Sequence, residues 1–329
     1  MNSKKEFMSF GKNKMVIASC PLRVSLLGGS TDLEDFIQSH GYGKVISFPV
    51  NLYTYVSINK RYDGRFLIQY AETESVLKVS DIKNELVRVV LEYFNITTPI
   101  TVALNADIPS HGSGLASSSS FMIAMIKATS IFKGLELSDF EICNIALKLE
   151  RIFNPLVGRQ DPMGCGLKGF KSLHFSDKHS ILTHPFGNKY FKLFDFYLLP
   201  VSKNGRSSTN ILKSLKIKER KPLLDKVDQG TRYLKEGDFI KFSELITESW
   251  ELKKKTSPQI VSDNVRLLEE KIKNIDKTVY YKLCGAGGGG YILLIKPKDV
   301  NITSLGILEN NYYININIDN RGIKTWTLN

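Results

Sequence analysis

Residues 108–128 read IPSHGSGLASSSSFMIAMIKA, and no other stretch constrains the fold as much. Two glycines and four consecutive serines stand directly before a helical pattern in which Phe121, Ala124, Met125, Ala128, Ile131 and Phe132 recur at three and four residues. Gly134 stops it. Small polar residues are poor core material, so bare backbone is needed there for another purpose. Glycine lets main-chain amides approach a ligand in conformations closed to other residues. The start of a helix adds unpaired N–H groups and the positive end of its dipole, which together attract an anion. Serine hydroxyls supply further donors, or oxygen ligands for magnesium. A serine N-cap on an ordinary helix would need one serine, not four with two glycines. The GK[ST] ending of a Walker loop is missing. The segment therefore predicts a nucleotide phosphate site with its metal.

The chain around it, 329 residues with 42% hydrophobic and 24% charged, is long enough for two domains with sizeable cores. Residues 15–25, 44–60 and 100–106 read as strands. Gly28 to Asp32 makes a turn, followed by a short helix over 33–39. Ser138 and Glu141 form a capping-box pattern that opens a helix to about Arg151, and Asn154-Pro155 breaks it. A glycine-rich loop, GRQDPMGCGLKG, comes next, then a strand over 191–201. We place a domain boundary just before that strand, giving units 1–190 and 191–329. Helices are expected over 207–218, 221–236, 239–255 and 262–273, and strands in YYKLCGAGGGGYILLIKP and YYININI. Alternating strands and helices in both halves mean α+β or α/β.

A net charge of +12 raises the question of nucleic acid. The densest basic zone, 213–235, lacks interleaved aromatics and any nucleic-acid motif, so a solvated helical face is expected and no nucleic-acid partner. Cys20, Cys143, Cys165 and Cys284 are far apart and form no CxxC pair, which argues against a disulfide framework or zinc site and for a reducing compartment. Neither a signal-type apolar stretch nor a membrane-length apolar run is present, so a cytoplasmic protein without membrane attachment is expected.

Two carboxylates flank the Asn154-Pro155 break. Of such a pair beside a phosphate site, one can hold a metal and the other can orient or deprotonate an attacking hydroxyl. Glu150 and Asp161 are the candidates. Arg23 lies in the apolar strand sequence PLRVSLL, where a charge needs a partner. Paired with Asp161 it would stabilise charge on a moving phosphoryl group; a purely structural ion pair is the alternative. Asp32 is placed either to accept from a sugar hydroxyl or to cap the following helix. The run GAGGGG, Gly285 to Gly290, is a flexible loop with potential as an anion nest. A strand follows it, not a helix, so it is not a dinucleotide loop.

Taken together, PLRVSLLGGSTD, PSHGSGLASSSS and KLCGAGGGGYILL resemble, in order, the three motifs of the GHMP small-molecule kinases. GGSTD, GRQD and NGRSS are most similar to those of the D-glycero-D-manno-heptose 7-phosphate kinases. The resemblance implies an α+β, two-domain architecture with a ribosomal-protein-like first domain and a ferredoxin-like second. It implies ATP and magnesium, and transfer of phosphate to the anomeric hydroxyl of the heptose 7-phosphate, toward nucleotide-activated heptose for surface polysaccharide. By position, Asp161 would be the catalytic carboxylate and Arg23 the stabilising cation. Gly112, Ser113, Gly114, Leu115, Ala116, Ser117 and Ser118 would wrap the phosphates. Ser118, with Ser117 as a close alternative, and Glu150 would hold the metal. Gly29, Ser30, Thr31 and Asp32 would contact the sugar, and Arg206, with Lys203, a distal substrate phosphate. The alternatives are a kinase of an unphosphorylated sugar (galactose, fucose or uronic acid type) and a non-catalytic sugar sensor. A monomer or homodimer is expected. Two departures from the family pattern are Ala116, where glycine is more usual, and Pro162 after Asp161, which bears on acceptor preference.

Overall fold

The computed structural model describes residues 15–109, 112–176, 180–201, 208–274, 278–300 and 312–328. Lys203, Arg206 and the N-terminal residues before Met15 lie outside them. Along the first part of the chain run β1 (Met15–Leu27), α1 (Glu34–His40), β2 (Tyr42–Lys60), β3 (Phe66–Gln69), β4 (Thr73–Val76), α2 (Glu85–Tyr93), β5 (Ile100–Ala106), α3 (Ser117–Phe132), α4 (Asp139–Phe153), α5 (Gln160–Gly166), β6 (Lys171–Ser176) and β7 (Ile181–Pro185). The second part holds α6 (Lys189–Leu193), β8 (Phe194–Val201), α7 (Ser208–Lys213), α8 (Lys221–Glu236), α9 (Phe239–Lys254), α10 (Asp263–Lys273), β9 (Tyr280–Leu283), β10 (Gly290–Pro297), β11 (Ile314–Ile316) and β12 (Lys324–Leu328).

The first sheet has the order β12-β1-β2-β5-β3-β4, with β6 on the free half of β2 and β7 beyond it. Only the β3–β5 pair is parallel. Along β1, Val16, Ala18, Cys20, Leu22, Val24 and Leu26 are all fully buried, the period of two that a strand requires. From Cys20 to Val24 the other face is buried as well, because helices cover one side and the second part of the chain covers the other. That second part forms a four-stranded antiparallel sheet, β11-β8-β10-β9, which is the ferredoxin-like order. An apolar core joins the two sheets: Leu22, Val24, Phe48 and Phe170 from the first part of the chain pack in one cluster with Phe196, Phe242, Leu293 and Ile295 from the second. The α+β, two-sheet architecture expected from the resemblance is therefore present.

Several local expectations need correction. Residues 160–166 are helix, not loop; Pro162 falls in the first turn, where its missing N–H is not needed. Residues 189–193 are helical, so the next strand starts only at Phe194. Helix α3 is buried nearly all round, with Met122, Ile123 and Ile126 inside and Phe121, Ile131 and Phe132 only half-buried, because strands and helices surround it. The final strand, β12, pairs with β1 and so belongs to the first sheet, although the division at 190 assigns it to the second unit. The alternation of KTWTL is polar and exposed, and it gave no signal of that return. No helix among the described residues is long and apolar enough to cross a membrane.

Candidate active site

One cleft lies between the two parts, and its walls come from the start of α3, the end of β1, the turn after it, α4, α5 and α9. Its floor is the 112–116 loop. Gly112 and Gly114 have φ of 72° and 76°, and Ala116, the residue before α3, has φ 61° and ψ 41°. This left-handed conformation is free for glycine and costs an alanine roughly 1 kcal/mol. No side chain caps α3, so the serine N-cap alternative fails. The serines do other work. Ser117 Oγ pairs with Ser113 Oγ (2.9 Å), Ser120 Oγ ties to Cys20 O (2.9 Å), and Ser119 Oγ donates to Glu150 Oε2 (2.5 Å). Ser118 is the exposed one and faces the cleft.

The second glycine run explains itself against the first. A Cβ on Gly285 would come 2.4 Å from Gly114 Cα, one on Gly114 would come 2.5 Å from Cys284 O, and one on Gly290 would come 2.7 Å from the carbonyl oxygens of Gly112 and Ser113. The two loops pack backbone on backbone, a closeness that only glycine permits. The GAGGGG run packs as a buttress against the 112–116 loop.

Arg23 and Asp161, 138 residues apart, meet as expected. Nη2 and Nε of Arg23 donate to Asp161 Oδ1 at 2.6 and 3.2 Å, and Nη1 donates to Gly114 O at 2.8 Å. Burial works against the Arg23 charge, but the Asp161 carboxylate outweighs it and leaves the guanidinium above its ordinary pKa. Arg23 is buried and Asp161 is partly open to the cleft. The strand carries register irregularities on either side of this segment, between Pro21 and Arg23 and between Ser25 and Leu27. Such bulges re-aim side chains.

Glu150, at the end of α4, is buried, and that burial pushes its carboxyl up to about 7, with hydrogen bonds from Ser119 and Ser118 opposing the shift. Among the described residues no group of three or more His, Cys, Asp or Glu could hold a metal on its own. Glu150 and Ser118 offer a carboxylate and a hydroxyl on one wall, and magnesium takes one or two protein oxygens and completes its shell with phosphate and water.

The GGSTD turn behaves differently from expectation. Asp32 is fully buried and accepts from Ser30 N (3.1 Å), Gln160 N (3.0 Å) and Gln160 Nε2 (2.8 Å); it does not cap the helix that follows it, since no side chain caps α1. Burial, then the nearby Asp161 charge, raise it to about 6. Thr31 Oγ1 lies 2.8 Å from both Gly28 O and Lys44 O, sharing its one proton between them, and accepts from Lys44 N, which fixes the turn to β2 and leaves Thr31 outside the cleft wall. Leu115 also lies outside that wall: it is buried, and its carbonyl accepts from Arg23 N (3.1 Å). Gly29, Ser30 and Asp32 line the cleft.

Sequence reasoning missed two lysines. Lys253 Nζ donates to Gly285 O (2.6 Å) and Lys282 Nζ to Ser25 O and Leu26 O (2.6 and 2.9 Å). Both are buried at the cleft, and burial lowers them to about 8 and about 7, with Arg23 and Lys253 respectively the next contributors. Lys282 interrupts a buried strand, the same signal that singled out Arg23. Lys253 hides in a run of three lysines that reads as solvated. The basic zone 213–235 also reaches the site region: Arg220 is buried and donates to Ser30 O (3.1 Å) and Asp35 Oδ1 (3.0 Å).

Comparison with known proteins gives the same direction. Residues 82–169, from before α2 through α5, match the GHMP kinases N terminal domain. The D-glycero-alpha-D-manno-heptose 7-phosphate kinase of Campylobacter jejuni is 24% identical, over 96% of this chain and 100% of that one. Among solved structures, a D-glycero-D-manno-heptose 1-phosphate kinase from Bacteroides thetaiotaomicron superposes with a TM-score of 0.76 at 20% identity, covering 94% of this chain and 98% of the other. A galactose-bound Lactococcus lactis galactokinase gives 0.75 at 16% identity, covering 94% and 95%. At those identities the structural likenesses establish the fold.

Proposed function

Since this chain belongs to the GHMP kinases, we propose that it transfers the terminal phosphate of ATP to the anomeric hydroxyl of D-glycero-D-manno-heptose 7-phosphate. The product is the 1,7-bisphosphate, which leads toward nucleotide-activated heptose for surface polysaccharide. The observation that carries phosphoryl transfer is the Arg23–Asp161 pair, set beside a glycine- and serine-rich helix start in one cleft. The heptose assignment is supported by the GGSTD, GRQD and NGRSS segments and by the full-length likeness to a protein of that name.

The residues divide the work as follows. Main-chain N–H groups of the 112–118 loop and the start of α3 hold the phosphates. Glu150 and Ser118 would hold magnesium, which supplies neutralisation of phosphate charge when bound. Asp161 takes the proton from the acceptor hydroxyl through Oδ2. The hydroxyl oxygen bonds to the terminal phosphorus while the bond to the bridging oxygen breaks, releasing ADP. Arg23 fixes the Asp161 carboxylate through Oδ1 and lends positive charge to the moving group. A second hollow opens where β5 runs into the 108–109 segment, with Tyr70, Leu104, Ile108 and Phe121 on its walls; it offers an apolar seat for the nucleotide base next to the phosphate loop.

The test is an acceptor panel with ATP and magnesium, scored by ADP release and product mass: D-glycero-D-manno-heptose 7-phosphate, mannose 6-phosphate, galactose and fucose. Heptose 7-phosphate is expected to gain one phosphate at the highest kcat/KM. Turnover confined to the unphosphorylated sugars would contradict the heptose-phosphate assignment while leaving the kinase assignment standing.

A further inference from the structure

Three polar side chains from three elements converge above Gly29: Ser25 of β1, Gln160 of α5 and Lys253 of α9. A Cβ built on Gly29 would lie 3.5 Å from Ser25 Oγ, 3.9 Å from Gln160 Nε2 and 3.9 Å from Lys253 Nζ, with nothing closer. Ser25 Oγ and Gln160 Oε1 are buried and have no hydrogen-bond partner among the described residues. Native proteins rarely leave such atoms unpaired. Lys253 is more than nine-tenths buried; its one hydrogen bond among the described residues goes to Gly285 O, and no carboxylate there forms an ion pair with it. A buried ammonium with spare donors calls for an oxygen from elsewhere. Asp32, which the sequence offered as the sugar-reading residue, already accepts three hydrogen bonds from the protein.

We propose that Ser25, Gln160 and Lys253 form the subsite that selects the acceptor, by reading the hydroxyl next to the one that is phosphorylated. The donor set fits a hydroxyl. Nε2 of Gln160 is held by Asp32 Oδ1 (2.8 Å), so Oε1 can only accept. Lys253 can only donate, and Ser25 does either. A hydroxyl gives its proton to Gln160 Oε1 and receives from Lys253 Nζ and Ser25 Oγ. A phosphate oxygen, which is acceptor-only at neutral pH, would face Oε1 acceptor to acceptor. The place fits too. Gln160 is the neighbour of Asp161, and Ser25 is two residues beyond Arg23, on the same side of the strand. An oxygen read here sits beside the reacting one. Gly29 keeps the space open: its backbone is not left-handed and a methyl there would meet only ordinary contacts, so it is glycine for the ligand's sake.

This inference rests on the sugar-kinase reading, and the test separates the two. The probe is whichever sugar of the panel above the wild-type protein phosphorylates fastest, together with its monodeoxy analogues. Gly29→Ala and Lys253→Met are expected to raise the acceptor KM at least tenfold while the ATP KM stays within about twofold. One monodeoxy analogue should be a poor substrate for the wild type and no poorer for Lys253→Met, since the hydroxyl they share is already gone. Ser25→Ala should raise the acceptor KM without lowering the thermal midpoint of the ligand-free protein, because it removes an unpaired buried hydroxyl. An unchanged acceptor KM in Gly29→Ala would overturn the subsite. So would an ATP KM that rises in step with the acceptor KM in Lys253→Met, which would assign the lysine to the nucleotide. Failure of the wild type on every sugar would instead strike the sugar-kinase reading, and the subsite with it.

Discussion

Arg23 gives two N–H groups to a single oxygen of Asp161, Oδ1, and none of the described residues donates to Oδ2. The pair is therefore one-sided. One carboxylate oxygen is locked against the cation, and the other is left to take a proton. Lysine cannot reproduce this, because its ammonium lacks the fork that also reaches Gly114 O. Arg23→Lys is expected to lower kcat by roughly 10²–10³, the range for losing one oriented charge stabiliser, with the ATP KM little changed. Steady-state kinetics with both substrates varied checks it; an unchanged kcat would reduce Arg23 to scaffold.

Glu150 carries a cost that the ligand-free protein bears. Its folded pKa of about 7 stands above the ordinary 4.5, so the native state binds the proton more tightly than the unfolded chain does. Stability on this account falls as pH rises from about 4.5 to about 7 and is then level, a total of roughly 3 kcal/mol. Glu150→Gln removes the penalty. In the absence of metal its thermal midpoint should exceed the wild type's at pH 8, and the gap should close near pH 4.5. The same variant should lose the magnesium-dependent tightening of nucleotide binding. A gap that does not depend on pH would contradict the assignment.

Ser118 and Ser119 are adjacent and should separate cleanly. Ser118 faces the cleft, whereas Ser119 is buried on the Glu150 carboxylate. Ser118→Ala is expected to raise the magnesium concentration needed for half-maximal rate by about tenfold without changing stability. Ser119→Ala withdraws the larger of the two serine hydrogen bonds that favour the ionised Glu150, so it should shift the acid limb of the rate profile further upward in pH than Ser118→Ala does. Rate profiles at fixed and varied magnesium distinguish them.

The glycine buttress gives a prediction about stability. Gly285→Ala drives a methyl into the Gly114 backbone at a left-handed φ of 75°. The expected loss is about 1–3 kcal/mol from overpacking, together with weaker nucleotide binding. Gly64→Ala, also left-handed but with nothing within 4 Å, should cost only about 1 kcal/mol and leave nucleotide binding alone. Chemical denaturation and nucleotide titration of the two variants check the contrast.

What was legible in the sequence follows a physical pattern. Features written in neighbouring residues came through: the capping box at Ser138 and Glu141, the bare backbone before α3, and Arg23 as a charge stranded in an apolar strand. So did the α+β architecture, through three motifs in order. Features that depend on distant packing did not. Asp161 reads as loop because a seven-residue helix rich in glycine has little propensity of its own. Thr31 reads as ligand-facing, but Lys44, from elsewhere in the fold, occupies its hydroxyl, and Asp32 lines the cleft with its oxygens held by Ser30 and Gln160. Lys253 is indistinguishable in sequence from Lys254 and Lys255 until α9 is laid against the cleft. The purpose of the Gly285–Gly290 run is invisible until Gly114 is seen touching it.

The most direct measurement is phosphorus NMR of ATP, magnesium and D-glycero-D-manno-heptose 7-phosphate incubated with the wild-type chain and with Asp161→Asn, alongside nucleotide affinity for both. The wild type should produce an anomeric phosphate signal in step with ADP. Asp161→Asn should produce none while binding nucleotide about as well. Equal rates of transfer in the two proteins would contradict the assignment of Asp161 as the group that accepts the acceptor's proton.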